Sequence, residues 1–169
     1  HDALPISGKA IKLKERIGLL DRKMRVVCEN VSNEAEYFLW ATVAFQNTYA
    51  FELQGDNLLL ARANLLLSFN EYTKHFLKRL PTEEEQKKIA QIISWNLWQM
   101  DGLKFVVPNS CCTETKTEET LFETIVISKP CEGCRTGDNT KHNGIYCMVM
   151  DWNTNQKLRF VDMLGGNVK

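Results

Sequence analysis

Four residues in the last third of the chain have the types and spacing of a metal knuckle. Cys131, Cys134, His142 and Cys147 read C-x2-C-x7-H-x4-C and offer three thiolates and one imidazole. That donor set suits tetrahedral zinc in a structural role, because such sites favour paired ligands on a tight turn. Gly133, inside the CxxC, lets that turn fold around an ion. Cys111 or Cys112 could replace either later ligand. The plain alternative is that His142 is a loop residue and Cys147 a small core residue, since "IYCMVMDW" alternates as a strand does. A redox dithiol is disfavoured, because no clear helix follows the CxxC.

Two carboxylates suggest a different chemistry. Glu52 closes the short apolar run that begins at Asn47, and Asp101 follows "ISWNLWQM". In open α/β sheets, ligands bind beyond the carboxyl ends of the strands. A carboxylate there can accept two hydrogen bonds from a ribose diol, and a second acid can accept from an adenine amino group. The alternatives are a surface charge beside a helix for Glu52, and a simple Asp-Gly turn for Asp101 and Gly102.

The elements that must position these groups follow from periodicity and caps. Ile11, Ile17, Leu20, Met24 and Val27 recur at helical spacing over 9–30. Asn33 with Glu36 resembles a capping box and opens a second helix, whose Tyr37, Phe38, Trp40 and Val43 suggest that it is largely buried. Residues 47–52 read as a strand. Asp56 or Asn57 then caps a helix with Leu58, Leu65, Phe69, Tyr72 and Phe76 on one face. Thr82 and Glu85 form a capping box for a polar helix to about residue 91, followed by a strand over Ile92 to Trp98. Beyond residue 103 come a polar loop at 108–120, a strand at 121–128 and a turn-rich insert. A hairpin joined at Asn153–Gln156 ends the chain. Strands alternating with helices predict an α/β fold: a partial, doubly wound, Rossmann-like layer over 8–105, then a β-rich, cysteine-containing part over 106–169. Residues 1–7, "HDALPIS", read as a non-native or disordered leader, which would make the chain an open-ended fragment.

The stretch from Ser32 to Leu66 resembles the second-strand region of adenine-specific (N6) DNA methyltransferases of restriction–modification systems. Tyr49, Ala50, Phe51, Glu52, Leu53, Asp56, Asn57 and Arg62 follow the order of that family's strand, turn and Arg-bearing helix. "ISWNLWQMDGL" is similar to the family's next strand. The resemblance covers roughly residues 20–105. It implies that Glu52 binds the ribose of S-adenosylmethionine, that Leu53 packs on its adenine and that Asp101 sits near the adenine amino group. The family's glycine-rich first loop and its catalytic Asn/Asp-Pro-Pro-Tyr/Phe tetrapeptide have no counterpart here. The expected role is therefore the cofactor nucleoside-binding half of an adenine methylase, with DNA reached through a larger enzyme. The alternative is a non-catalytic, methyltransferase-derived binding module with a structural zinc site, of the phage inhibitor or decoy kind, acting on a protein partner.

The totals narrow the classes. With 21 basic and 21 acidic residues the formal net charge is zero, so nucleic acid would need a local patch. Lys74, Lys78, Arg79, Lys87 and Lys88 could form one, although most such clusters are solvated faces. Trp95, Trp98 and Trp152 could stack on bases, but aromatics at strand positions are usually core. No run of eighteen apolar residues predicts a membrane span, and no export signal opens the chain. Six cysteines then read as reduced thiols or metal ligands in a cytoplasmic protein.

Overall fold

Leu20, Met24 and Val27 recur every three or four residues, so a helix here can bury one stripe, and α1 (Leu19–Asn30) does so. The computed structural model of the chain describes residues 11–119 and 124–164. The leader expected over 1–7, and Leu121 to Glu123 of the expected strand, lie outside the described residues. Two compact units are present: 1–50 with 54–97, and 51–53 with 98–169. The sequence pattern places a division at 105–106.

The first unit is helical. A 3-10 turn (Leu13–Glu15) precedes α1. The side chain of Asn33 accepts from the Glu36 amide at 3.0 Å, and Glu36 accepts from the Ser32 amide at 2.8 Å, which satisfies two donors at the start of α2 (Glu34–Gln46). This helix buries Tyr37, Ala41, Ala44 and Phe45, but Leu39 and Trp40 are exposed, so only one face is core. The long α3 (Gly55–Leu77) starts two or three residues earlier than its Asp56 or Asn57 suggests, with Gln54 at the N-cap and no side-chain cap. In α4 (Glu83–Asn96) the Thr82–Glu85 capping box is formed. Arg79 joins it from the preceding turn, pairing with both Glu85 and Glu34 while lying over the Phe38 ring. These bonds from Arg79, then those from Thr82, hold the Glu85 carboxyl below its usual range.

The strand expected over Ile92 to Trp98 is helix as far as Asn96. Its β-branched and aromatic residues suit a strand, yet Ile89, Ile92, Ile93 and Asn96 fall on one buried helical face. Asn96 has a specific task there. Its amide donates to the carbonyls of Phe45, Gln46 and Thr48 at 3.0, 2.9 and 3.2 Å. Carbonyls at a helix C-terminus lack intrahelical partners, and here α4 adds a donor to Gln46 and to Phe45, which also accepts from the Thr48 amide at 3.0 Å. The aromatic core of this unit includes Tyr37 stacked on Phe76, with the Tyr37 hydroxyl 3.0 Å from Thr73 Oγ1.

The second unit is built from short strands. Among the described residues the strands pair two by two: β1 (Ala50–Glu52) with β2 (Leu97–Gln99), β3 (Glu114–Glu119) with β4 (Thr124–Lys129), and β5 (Met148–Asp151) with β6 (Gln156–Arg159). The boundary between the units falls inside β1 and β2. The chain is thus mixed α/β, whereas a doubly wound layer would need one sheet of several strands. β3 arises within the stretch expected to be a polar loop. It pairs antiparallel with β4 from Glu114↔Lys129 to Glu119↔Thr124. β5 and β6 form the expected hairpin, and Asp151 accepts from Asn153 and Thr154 to shape its turn. Two five-residue helices, α5 (Glu132–Thr136) and α6 (Phe160–Leu164), complete the unit. Its buried residues include Met100, Val106, Cys147, Val149, Met150 and Val161. No helix among the described residues is long and apolar enough to cross a membrane.

Candidate metal centre

The CxxC wraps the first turn of α5, with Cys131 at its N-cap position. The Gly133 amide donates to Lys141 O at 2.9 Å, which folds the following segment back over the CxxC and sets His142 upon it. The His142 amide donates to the Tyr146 hydroxyl at 2.7 Å, and that hydroxyl donates to Asn139 O at 3.1 Å. Gly133 is required by space: a Cβ there would stand 2.6–2.7 Å from Nδ1, Cγ and the backbone N of His142.

Cys111 reaches the same point from the far side of the β3–β4 hairpin. The terminal pair Glu114↔Lys129 places residues just before β3 beside residues just after β4. Two ties fasten this junction. Asn143 donates to Cys112 O at 2.9 Å and accepts from the Cys112 amide at 3.3 Å. Ser110 Oγ accepts from the Ile145 amide at 2.9 Å. Gly144 packs against them so tightly that a Cβ would lie 2.5 Å from Ser110 Oγ and 2.9 Å from Cys111 Sγ.

The ligand atoms of Cys111, Cys131, Cys134 and His142 lie within 4.8 Å of one another, a group that could hold a metal ion. His142 Nδ1 is 3.6 Å from Cys111 Sγ, 3.5 Å from Cys131 Sγ and 3.6 Å from Cys134 Sγ. Cys131 and His142 are buried, Cys111 is half-buried and Cys134 is exposed. Burial opposes a thiolate at Cys131, but the backbone amides of Asn143 and Cys134, then His142 and Cys111, donate to it and bring the thiol down to about 6. Burial, followed by its contacts with Cys131 and Cys134, pushes Cys111 up to about 11. Cys131 and Cys134 thus oppose a negative charge at Cys111, and a cation among these thiols would relieve that opposition.

Of the four ligands first read from spacing, three meet here and Cys147 does not. It is fully buried on the approach to β5, its Sγ donates to Gln99 O at 3.2 Å, and burial pushes the thiol up to about 11. Its place in an alternating run, pointing inward, decides the matter. Cys111, named only as a substitute, takes the fourth place. The signal that could have found it is the threonine alternation at Thr113, Thr115 and Thr117, which marks β3 as a strand. Cys112 is exposed and outside the group.

The acids first read from their strand-end positions are in the second unit. Glu52 ends β1, and its carbonyl accepts from the Met100 amide at 2.9 Å. Asp101 is therefore the next residue after the pairing that ends at Glu52. Its Oδ1 accepts from the Leu103 amide at 2.9 Å and its amide donates to Val106 O at 2.8 Å, so it also closes a turn. Leu53 is exposed, and its carbonyl accepts from the Gln99 side chain at 3.0 Å. No protein-family model, curated protein or solved structure matches the chain.

Proposed function

We propose that the chain is a binding module whose second unit is braced by a structural zinc ion held by Cys111, Cys131, Cys134 and His142. The observation that carries this reading is the near-equal distance of His142 Nδ1 from three sulfurs, 3.5–3.6 Å. Tetrahedral zinc, with Zn–N of about 2.0 Å and Zn–S of about 2.3 Å, sets that N···S edge at roughly 3.5 Å. Three thiolates and one imidazole fill the shell, leaving no position for water or substrate, so the ion's contribution is cohesion. The unit's core of small and medium side chains also favours a brace, since such small assemblies gain much of their stability from a metal. Zero formal net charge gives no general attraction to a polyanion, which favours a protein partner, as for an inhibitor or decoy. Protein purified without chelators is expected to carry one equivalent of zinc by elemental analysis, and to lose the ordered signal of the second unit when a strong chelator removes it. Less than about a tenth of an equivalent would end the reading.

One observation favours a second reading, a nucleoside site within a partial methyltransferase layer. Support for it comes from the Glu52–Met100 bond, which sets Glu52 at the end of β1 close to the turn that Asp101 closes, and a carboxylate at a strand end can meet a ribose diol. On this reading the chain supplies part of the S-adenosylmethionine site, and DNA is reached through a larger enzyme. Calorimetric titration with S-adenosylmethionine is expected to give heat that Glu52→Ala abolishes. Absence of heat with the unaltered chain removes this reading and leaves the zinc brace untouched.

A further inference from the structure

α3 is apolar on two opposite faces, which a helix covered on one side only does not require. One face buries Leu58, Phe69, Tyr72 and Thr73 in the first unit. At about 100° per residue, Asp56, Leu59, Leu60, Ala63, Leu67 and Lys74 fall within roughly 60° of one line on the other face. All six are exposed, and the leucines are strongly so: Leu59 at 68%, Leu60 at 61% and Leu67 at 57%.

Part of this stripe is self-complementary, although Asn70, half-buried and about 40° from the same line, comes level with Leu60 of the other copy. Asp56 and Lys74 lie equally far on either side of Leu65, and so do Ala63 and Leu67. We propose that this stripe pairs with the same stripe of a second copy of the chain, antiparallel, about a two-fold axis level with Leu65. A two-fold interface must present one patch that matches itself. Here the rotation sets Asp56 of each copy against Lys74 of the other, and Ala63 of each against Leu67 of the other. The small Ala63 side chain lets the helices approach closely. Among the described residues neither Asp56 nor Lys74 makes an ion pair within its own chain. Glu71, level with Leu59 of the other copy, is already paired with Arg16 at 2.6 Å and brings no uncompensated charge. Antiparallel alignment also sets each helix N-terminus near a C-terminus, which the helix dipoles favour.

A single helix face sits at the low end of interface sizes, under about 1,200 Å² in total, so the dimer dissociates on dilution. Sedimentation or light scattering of the zinc-loaded full chain over a wide dilution series is expected to show that monomer–dimer equilibrium. The variant carrying Leu60→Glu and Leu67→Glu stays monomeric with unchanged helix content. Lys74→Asp sets like charges opposite each other twice and weakens the dimer about tenfold, while Asp56→Lys combined with Lys74→Asp restores it. A monomer at every concentration, a dimer that keeps its strength in the leucine variant, or one that the double reversal fails to restore overturns the proposal. Capture of a different protein by the same stripe, with the chain alone remaining monomeric, overturns it as well.

Discussion

Cys111→Ser is expected to lower zinc affinity by about a thousandfold or more, whereas Cys147→Ser keeps a full equivalent. Structural zinc sites contribute roughly 10–16 kcal/mol of apparent binding free energy, so one of four ligands carries on the order of 4 kcal/mol. At about 1.4 kcal/mol per decade that is near three decades in affinity. Serine at position 147 still has a hydroxyl within reach of Gln99 O, where the thiol now donates at 3.2 Å, so the cost there is about 1 kcal/mol of stability and no metal. Competition against a chromophoric chelator reads both. A Cys111 variant that holds zinc as tightly as the unaltered protein, or a Cys147 variant that loses it, would show that the cluster is not the binding site.

Gly133→Ala is the second large effect. The added methyl would stand 2.6–2.7 Å from the ring and the backbone nitrogen of His142, and backbone cannot swing aside as a long side chain can. Such overpacking costs about 1–3 kcal/mol. Because the crowded atoms include Nδ1 itself, the loss falls on the metal as well, and zinc affinity is expected to drop about ten- to a hundredfold. Two other glycines calibrate the result. Gly102 has open space around its Cβ position, so Gly102→Ala should lie within about 0.5 kcal/mol of neutral. Gly137 ends α5 with φ of 76°, so alanine there pays about 1 kcal/mol of backbone strain while leaving the cluster uncrowded. If Gly133→Ala behaves like Gly102→Ala in thermal unfolding and chelator competition, His142 does not sit where the structure puts it.

Helix starts were legible wherever a side chain caps its own helix, as Asn33 and Thr82 do, because those signals are local. The end of α4 was not. Whether "IISWNLW" is strand or helix depends on which face meets the core and on Asn96 reaching α2, and neither is written within that window. The same holds for exposure of Leu39 and Trp40, since a helix with apolar residues all round does not announce which side is covered. In the candidate site, the CxxC and His142 were legible because ligand spacing is short-range. The fourth ligand was legible only as an alternative, because the threonine alternation that marks β3 lies in a stretch of threonine, glutamate and lysine that also resembles a polar loop. The register Glu114↔Lys129 brings the residues before β3 beside those after β4, which makes Cys111 and Cys131 neighbours.

The reach of Asn96 back to Phe45, Gln46 and Thr48 has a consequence for how the first unit forms. The residues joined are 48–51 positions apart, with the whole of α3 between them. An early α1–α2 pair would therefore hold an open, fraying end, and closing it must await the last helix. Until α4 arrives the carbonyls of Gln46 and Thr48 are left to water, while that of Phe45 keeps its bond from the Thr48 amide at 3.0 Å. The last turn of α4 thus acts as the latch on the end of α2.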